Sequence, residues 1–281
     1  MERILVTGAN GQLGSELAVL SSNYPQYDWI FADRNKITLD DLEVLKIQLE
    51  DIQPNIIFNC GAYTAVDKAE AEKELAFTVN HLAVELIANY SAENNVKLIH
   101  ISTDYVFDGS SSTALNEDEE TNPINVYGAS KRAGEIACLS ENPNSIIIRT
   151  SWVYSKFGNN FVKTMQRLMQ DKDSINVVND QIGSPTYAAD LAQAMITILE
   201  SSSWIPGIYN YSNEGEISWY EFALSIKEIG EYNCNVGGIP SASYPTPAKR
   251  PEFSLLDKKK IKTIYDLDIP NYKESLKKMF I

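Results

Sequence analysis

Three side chains that can deliver, hold or stabilise a proton lie in two short segments of the chain. Thr103 follows the apolar run 97–102, while Tyr127 and Lys131 stand four positions apart in a helical pattern. A spacing of four places both side chains on one face of a helix. A phenol, whose ordinary pKa is about 10, exchanges protons poorly near neutrality unless a cation favours its ionised form. The set predicts that Tyr127 delivers a proton to a substrate oxygen, with Thr103 orienting that oxygen and Lys131 supporting the phenol.

A glycine-rich segment near the start of the chain predicts a cradle for a dinucleotide. Gly8, Gly11 and Gly14 directly follow the apolar run 3–7, and a helical stretch begins at Gln12. Glycine permits a tight turn, a close approach of backbone to a pyrophosphate, and close packing of helix on strand. The spacing is one residue longer in its first turn than Gly-x-Gly-x-x-Gly, so an ordinary glycine turn stays open, as an ordinary surface helix does for a lone Tyr-x-x-x-Lys pair. The order of cradle, hydroxyl, phenol and ammonium favours the functional interpretation of both.

An acidic residue at the end of the next apolar run supports a nicotinamide dinucleotide. Asp33 lies 19 residues after Gly14, close to the position where a carboxylate meets an adenosine ribose. A carboxylate there favours the free 2′-hydroxyl of NADH, whereas the guanidinium of Arg34 can hold the 2′-phosphate of NADPH. The pair predicts NADPH or NADH without deciding between them.

Apolar strand-like runs alternate with longer helical patterns, which predicts an α/β fold: a Rossmann-type, doubly wound parallel sheet with a smaller C-terminal substrate-binding domain. We expect strands near 3–7, 29–33, 56–60, 97–102 and 146–152, a short strand near 37–39, and helices near 12–21, 41–50, 68–94, 124–139, 160–170, 187–201 and 218–230. The predicted domains are 1–154 for the dinucleotide and 155–281 for the substrate. Their boundary is interleaved, since the helix near 187–200 is expected to belong to the first domain.

Composition limits the partners and the compartment. The chain has 281 residues, 44% of them hydrophobic, which is enough for a sizeable core. No apolar run approaches the roughly 18 residues of a membrane span, and we expect no signal peptide. The net charge of −14 disfavours nucleic acid and membrane surfaces as partners. Three isolated cysteines without zinc spacing are typical of free thiols, so we expect a cytoplasmic protein.

Ordered segments across the whole chain carry a resemblance to a known family. They lie at 8–14, 62–70, 102–107, 125–131, 149–154, 158–161, 179–186 and 250–254. Together they resemble the dTDP-4-dehydrorhamnose reductase family of the extended short-chain dehydrogenase/reductases. The resemblance implies reduction of the 4-keto group of a nucleotide sugar, dTDP-4-dehydro-6-deoxy-L-mannose, with NADPH or NADH. The product would be dTDP-L-rhamnose, which is used for cell-surface polysaccharide.

The same resemblance implies roles for individual residues. The catalytic set is Thr103, Tyr127 and Lys131. The substrate-binding set is Asp104, Tyr105 and Trp152 around the sugar, and Arg250, which could bind the nucleotide diphosphate. The cofactor-binding set is Gly8, Asn10, Gly11, Gln12, Leu13, Gly14, Asp33, Arg34, Asp40, Gly61, Ala62, Tyr63 and Thr64. Other interpretations stay open for four of these residues. Trp152 and Tyr105 could be core aromatics. Asp40 could be a helix N-cap, and Arg250 could pair with a surface acid.

Some members of this family bind Mg²⁺ at a dimer contact through acidic residues, and Glu16 matches one of them. The second acidic position is Ala189 in this chain, with Asp190 beside it. Because Mg²⁺ needs several oxygen ligands, we expect no metal site and a solvated Glu16. A homodimer without a bridging metal stays open.

Two other functions are compatible with the same fold. Nucleotide-sugar dehydratases and epimerases share the tyrosine and lysine, but dehydratases of this superfamily carry Asp-Glu after the threonine, where this chain has Asp104 and Tyr105. Elimination then lacks its second carboxylate. The regulatory β subunit of methionine adenosyltransferase resembles these reductases and acts as a binding partner, and fold alone does not separate it from them. The complete catalytic set favours an enzyme.

Overall fold

The computed structural model describes residues 1–280 and contains a sheet of six parallel strands. The strands are β1 Glu2–Thr7, β2 Tyr27–Ala32, β3 Ile56–Asn59, β4 Lys97–Thr103, β5 Ile146–Thr150, β6 Val153–Tyr154, β7 Ser174–Val178, β8 Ile182–Gly183, β9 Thr186–Tyr187, β10 Gly207–Tyr211, β11 Ile217–Ser218 and β12 Asn235–Ile239. The α-helices are α1 Gln12–Leu20, α2 Leu42–Ile52, α3 Val66–Ala69, α4 Lys73–Phe77, α5 Ala83–Glu93, α6 Val126–Glu141, α7 Phe161–Asp171, α8 Ala188–Glu200, α9 Trp219–Ile229, α10 Lys259–Tyr265 and α11 Tyr272–Phe280. Short 3₁₀ turns cover Ser21–Asn23, Asp104–Val106 and Ser241–Ser243, and a π-helical turn covers Thr78–Leu82.

The strand order of the large sheet is β10-β5-β4-β3-β1-β2, and every neighbouring pair is parallel. The chain runs from β1 to β2 in one direction and then crosses back to β3. The topological switch point therefore falls between β1 and β3, where the crevice at the carboxyl ends of the strands binds ligands in such sheets. β3 and β5 are buried along their whole length, as their continuous apolar runs predict. The predicted doubly wound α/β fold is confirmed.

Helices cover both faces of this sheet, because alternate strand residues point to opposite sides. On one face, Leu17 of α1 and Leu191 of α8 share an apolar cluster with Ile4 of β1. On the other face, α2, α5 and α6 form a second cluster, in which Ile87 packs with Leu5. Each face therefore excludes water from the strands, and the strand ends alone are left to form a site.

Two elements from beyond residue 154 belong to the large sheet and its core. α8 contributes to the same cluster as β1, and β10 pairs in parallel with β5 along the sheet edge. The sequence pattern predicts that α8 belongs to this core, but it does not predict β10. The division into 1–154 and 155–281 remains a prediction.

The last third of the chain also forms a cluster of its own. Phe222 of α9, Met165 of α7 and Leu276 of α11 are buried together. Three two-stranded pieces accompany them, β11 with β8, β12 with β7 and β6 with β9. None of the helices within residues 1–280 is both long and apolar enough to cross a membrane.

Three predicted elements are wrong in their details. The segment 37–39 is not a strand, because Lys36 and Ile37 donate their N–H groups to the carbonyl of Asp33 and close a turn there. The predicted helix 68–94 is divided into α3, α4, the π-helical turn and α5. The predicted strand 146–152 ends at Thr150, since Trp152 takes a left-handed backbone with φ of +48°.

Candidate active site

The glycine turn between β1 and α1 fits a phosphate group. Gly8 has a φ of +66°, and a Cβ there would lie 2.8 Å from the backbone of Gly61. A Cβ on Gly14 would overlap the carbonyl oxygen of Gly8, so α1 packs on the turn only without a side chain. The N-terminus of α1, at Gly11, has no side-chain cap and no acidic residue in its first turn. Its positive end is therefore open to an anion, as the cradle hypothesis requires.

A cavity of about 540 Å³ lies beside this turn, and both Asn10 and Asp33 line it. Asp33 Oδ1 accepts the N–H groups of Asn35 and Lys36 at 3.0 and 3.2 Å. These bonds fix the carboxylate at the end of β2 and leave Oδ2 as the atom that can meet a ribose hydroxyl. The residues present therefore fit the adenosine end of a dinucleotide.

Arg34 and Asp40 form an exposed ion pair at the rim of the cofactor region. The Nη2 to Oδ2 distance is 3.1 Å, and 75% of the arginine side chain is exposed. Asp40 is not the N-cap of α2: that position is Asp41, whose side chain accepts the N–H of Val44 at 3.1 Å. The guanidinium is thus free enough to turn toward a 2′-phosphate, at the cost of a weak surface contact.

The loop 61–64 leaves β3 at the switch point and is held by Asn80 of the π-helical turn. Tyr63 donates its N–H to Asn80 Oδ1 at 2.9 Å, and Asn80 Nδ2 donates to the Tyr63 carbonyl at 3.0 Å. A Cβ on Gly134 would overlap the Asn80 carbonyl, so α6 lies directly on the π-helical turn. The π-helical turn thus interrupts the predicted helix 68–94, and it lets the Asn80 side chain fix the backbone of the loop 61–64.

Thr103 and Tyr127 meet at the carboxyl end of β4. Thr103 is the last residue of that strand, and its Oγ1 donates to Asp104 Oδ1 at 3.0 Å. The phenol of Tyr127 lies near the Thr103 hydroxyl, which acts to lower the pKa of the phenol. Burial raises the pKa of Tyr127 to about 12, against the lowering effect of that hydroxyl. We expected Lys131 to favour the ionised phenol, but the pKa of Tyr127 is raised and not lowered, so the phenol keeps its proton at neutral pH.

Two close contacts fix the beginning of α6 and, with it, the position of Tyr127. The side chain of Asn125 caps the helix by accepting the N–H of Gly128 at 2.7 Å. A Cβ on Gly128 would overlap the carbonyl oxygen of Tyr105. The first turn of α6 is therefore seated on the 3₁₀ turn that follows Thr103, which brings the phenol to the strand end.

Lys131 is buried one helical turn further along α6, with 2% of its surface exposed. Its Nζ donates to the Ile101 carbonyl at 2.6 Å and lies 3.4 Å from His100 Nε2. Burial lowers the pKa of Lys131 to about 8, although Glu135 raises it. His100 is in turn linked to Asn59 and Thr7. We call Thr7, Asn59 and His100 the polar row.

Asp104 is buried beside Thr103 and Tyr127, and one of its carboxylate oxygens has no hydrogen-bond partner. Only 2% of the residue is exposed, and Oδ2 has no hydrogen-bond partner within residues 1–280. Burial raises the pKa of this carboxyl to about 6. A buried polar atom without a partner is costly, so the site is suited to a ligand group that supplies the missing hydrogen bond.

Trp152 and Tyr105 are both partly exposed, and Trp152 also packs against the apolar cluster of the C-terminal third. The Trp152 ring stacks on Trp219 with centroids 3.7 Å apart, and its backbone φ of +48° is strained for a side chain of this size. Tyr105 meets the ring of Tyr127 edge-on at 5.6 Å. The two aromatics therefore present flat apolar surfaces on either side of the strand ends.

Arg250 is paired with an acid, which is the second of the two interpretations that the sequence left open. Its Nη2 lies 2.7 Å from Asp67 Oδ2, and its Nη1 also contacts Oδ1. The Arg250 guanidinium lowers the pKa of Asp67 by hydrogen bonding. Arg250 also donates to the Ala248 carbonyl at 2.6 Å, and the nearby Tyr105 helps to raise the pKa of the guanidinium. The Arg250–Asp67 ion pair thus joins the proline-rich loop 240–251 to α3, close to Tyr105.

Glu16 is buried, so the expectation of a solvated side chain is wrong. It is 4% exposed, and its Oε1 accepts the Ser155 hydroxyl at 2.6 Å. Burial raises its pKa, and the nearby charge of Asp190 raises it further. Within residues 1–280, no group of three or more histidine, cysteine or acidic side chains is arranged to hold a metal ion.

Sequence reasoning missed several residues that organise the site, namely Asn59, Asp67, Asn80, His100 and Trp219. A usable signal existed for two of them. Asn59 and His100 are polar residues within or at the end of buried apolar strands, which is unusual unless a partner is present. The other three act through contacts with segments far away in the sequence, which no local pattern reveals.

The fold and the site together place the chain in the class of oxidoreductases that use a nicotinamide dinucleotide. Comparison with known proteins is more specific, and the chain belongs to the family described as RmlD substrate binding domain, whose model matches residues 1–281. It is 40% identical to the dTDP-4-dehydrorhamnose reductase of Aggregatibacter actinomycetemcomitans, covering 99% of this chain and 98% of that protein. It is 42% identical to the dTDP-4-dehydrorhamnose reductase of Sinorhizobium fredii, covering 99% and 96%.

A solved structure agrees with this assignment. The dTDP-4-dehydrorhamnose reductase of Bacillus anthracis in complex with NADP superposes with a TM-score of 0.94 at 39% identity, covering 99% of this chain and 98% of that one. The predicted family and the predicted class of enzyme are confirmed.

Proposed function

We propose that this protein reduces the 4-keto group of dTDP-4-dehydro-6-deoxy-L-mannose to give dTDP-L-rhamnose, with NADPH or NADH as the reductant. One observation carries the proposal. The Tyr127 phenol lies near the Thr103 hydroxyl and one helical turn from a buried Lys131, in a chain that matches reductases of this name over 99% of its length. This arrangement is what delivery of a proton to a carbonyl oxygen requires.

The residues present fit a nicotinamide dinucleotide. Its phosphates would lie against the turn of Gly8 and the open end of α1, where an added Cβ would overlap the backbone. Its adenosine ribose would meet Asp33, and its other half would follow the loop 61–64. When bound, the reduced cofactor supplies the hydride to the ketone carbon.

The side chains of the chain handle the proton and the oxygen. Tyr127 is protonated at neutral pH, since its ordinary pKa of about 10 is raised further by burial, and it would pass this proton to the substrate oxygen as negative charge develops there. Thr103 is close enough to Tyr127 to hydrogen-bond the same oxygen. The unsatisfied Oδ2 of Asp104 would accept a hydrogen bond from a hydroxyl group of the sugar.

The chain's residues favour reduction over elimination. Elimination needs a second acid or base next to Asp104, and the following side chain is a phenol whose pKa is raised by burial and by the Asp104 charge. The three cysteines are free thiols, which supports our proposal that the enzyme works in the reducing cytoplasm.

The test is a reaction with the purified protein, NADPH and the 4-keto sugar nucleotide. We expect loss of the absorbance of the reduced nicotinamide in step with substrate, and a 6-deoxyhexose nucleotide with a 4-hydroxyl group by NMR. The same assay with Tyr127→Phe is the control. Conversion without net cofactor consumption would indicate an epimerase or dehydratase. Tight binding of both ligands with no conversion would indicate a regulatory subunit.

A further inference from the structure

The polar row crosses a sheet that is otherwise apolar. Thr7, Asn59 and His100 occupy register positions opposite one another on β1, β3 and β4. None of the three is more than 1% exposed. Thr7 Oγ1 lies 2.7 Å from Asn59 Oδ1, and Asn59 Nδ2 lies 3.0 Å from His100 Nδ1. The row ends at Lys131, whose Nζ is 3.4 Å from His100 Nε2. It thus connects the first strand of the cradle with the lysine of the catalytic set.

The hydrogen bonds of the row run in one direction. Gly61 donates its N–H to Thr7 Oγ1 at 2.9 Å, and the Thr7 hydroxyl donates to Asn59 Oδ1. The Asn59 amide then presents its NH₂ group to His100 Nδ1, which must accept. A neutral imidazole has one donor and one acceptor nitrogen, so Nε2 carries the proton. The ring is neutral because burial and the charge of Lys131 hold the pKa of His100 well below its ordinary value.

This tautomer points an N–H group at the lysine. An amine can accept that hydrogen bond, whereas an ammonium cannot, so the contact favours the neutral form of Lys131. The other titratable groups that face Lys131 are Cys60 after β3 and, on α6 itself, Glu135 and Cys138. Burial raises the pKa of both thiols, which keeps them neutral. The Glu135 charge is shared with Arg149, at 2.8 Å.

We propose that His100 is a positioning residue for Lys131: the polar row fixes it as the Nε2-protonated tautomer, and its N–H group keeps the lysine ready to release a proton. The effect on catalysis rests on the proposed function, because it assumes that Lys131 serves Tyr127. The tautomer does not rest on it. The two parts of the inference can therefore fail separately.

The tautomer is measurable in the native protein by ¹⁵N NMR of histidine-labelled material. The chain has only two histidines, His81 and His100, so a His81→Gln variant assigns every remaining ring signal. We expect a protonated Nε2 and an unprotonated Nδ1 from about pH 6 to about pH 9. We also expect the Nε2 signal to move with a midpoint near 8, where Lys131 titrates. A proton on Nδ1, or a charged ring in this range, would overturn the proposal.

An Asn59→Asp variant should reverse the direction of the hydrogen bond between residue 59 and His100. A carboxylate only accepts hydrogen bonds, so His100 must donate from Nδ1 and turn the lone pair of Nε2 toward Lys131. We expect the tautomer to switch and the alkaline limit of kcat to rise by about one pH unit. Asn94→Asp, at an exposed position after α5, is the matched control.

An unchanged tautomer in a folded Asn59→Asp protein would contradict the proposal. If this variant does not fold, the spectrum of the native protein still decides. If His100 shows the expected tautomer but the protein never oxidises NADPH, the hydrogen bonding of the polar row is supported. The proposed function alone is then refuted.

Discussion

Asp67 and Arg250, 183 positions apart in the chain, are joined by two nitrogen to oxygen contacts. The first belongs to α3, after the cofactor loop, and the second to the proline-rich loop that ends near Tyr105. The pair holds this loop against α3, near Tyr105 at the end of β4. It is therefore a structural link between the proposed cofactor and substrate regions.

We expect both Arg250→Ala and Asp67→Ala to raise KM for the sugar nucleotide about tenfold, equivalent to roughly 1.4 kcal/mol. The reason is that each substitution frees the loop 240–251, while cofactor affinity depends on other contacts. Steady-state kinetics with both substrates varied would measure this. If Arg250 bound the diphosphate without help from the pair, Asp67→Ala would leave KM unchanged or lower it. Because the pair is partly exposed, the loss in unfolding free energy should be about 1 kcal/mol or less.

Tyr127→Phe removes the proton donor and keeps the ring. We expect kcat to fall by about 10²–10⁴, the usual contribution of a positioned acid, with the Kd for NADPH nearly unchanged. Single-turnover kinetics and fluorescence titration with NADPH would separate these effects. Turnover like that of the native enzyme would refute the role of the phenol.

Cofactor choice should depend on Arg34 and Asp33 in opposite ways. Arg34→Ala should weaken NADPH more than NADH, because the 2′-phosphate alone gains from a guanidinium. Asp33→Ala should weaken NADH more, since its Oδ2 is placed for the ribose hydroxyl. Kd values for both cofactors in both variants test this. Asp40→Asn, which releases Arg34 from its 3.1 Å contact, should tighten NADPH slightly. Equal losses for both cofactors would show that neither side chain meets the ribose.

Activity should decline as the pH rises through about 8. The pKa of Lys131 is lowered to about 8 by burial, so the ammonium is the main form below that pH and the amine above it. The phenol, with a pKa raised to about 12, stays protonated throughout. A profile of kcat/KM against pH should therefore show one alkaline limb with its midpoint near 8. A midpoint near the ordinary lysine value of about 10.4 would mean that Lys131 is not desolvated in the working enzyme.

Turnover should not need a divalent metal. Glu16, the residue that matches a metal ligand of other family members, is engaged by the Ser155 hydroxyl at 2.6 Å, and Ala189 stands at the second position. Mg²⁺ sheds its water reluctantly without several oxygen ligands. Rates and molecular mass with EDTA, and again with added Mg²⁺, should agree within about twofold. A large loss on chelation, reversed by Mg²⁺ together with dimer formation, would show that Asp190 or another acid completes the site.

The sequence was sufficient where chemistry and position are local. The cradle, the strand that ends at Thr103 and the helix that carries Tyr127 and Lys131 all follow from short patterns, and the structure brings them to one edge of the sheet. Asp33 was predicted from its distance from Gly14, and it lines the cavity beside the glycine turn, while its contact with a ribose stays a prediction.

The sequence was insufficient where a residue depends on a distant partner. β10 was missed because its run contains Asn210, a polar residue that is buried only because its amide donates to the carbonyl of Leu115 at 2.9 Å. The break at the π-helical turn depends on Asn80 meeting Tyr63 and Ser130. The polar row depends on the register of three strands, since Thr7 and Asn59 are 52 positions apart in the chain and Asn59 and His100 are 41 apart. Such pairings are set by the tertiary fold, and periodicity does not encode them.

The edge position of β10 has a consequence for biosynthesis of the chain. When only the first 154 residues have left the ribosome, β5 lacks its edge partner β10, and α8, which covers one sheet face together with α1, has not yet been made. Until residue 211 emerges, β5 offers open backbone groups and a bare apolar surface, the two features that promote aggregation. We therefore expect the nascent chain to be a client of chaperones until the C-terminal third is complete. We also expect a fragment cut at residue 154 to be insoluble, although Thr103, Tyr127 and Lys131 all lie within it.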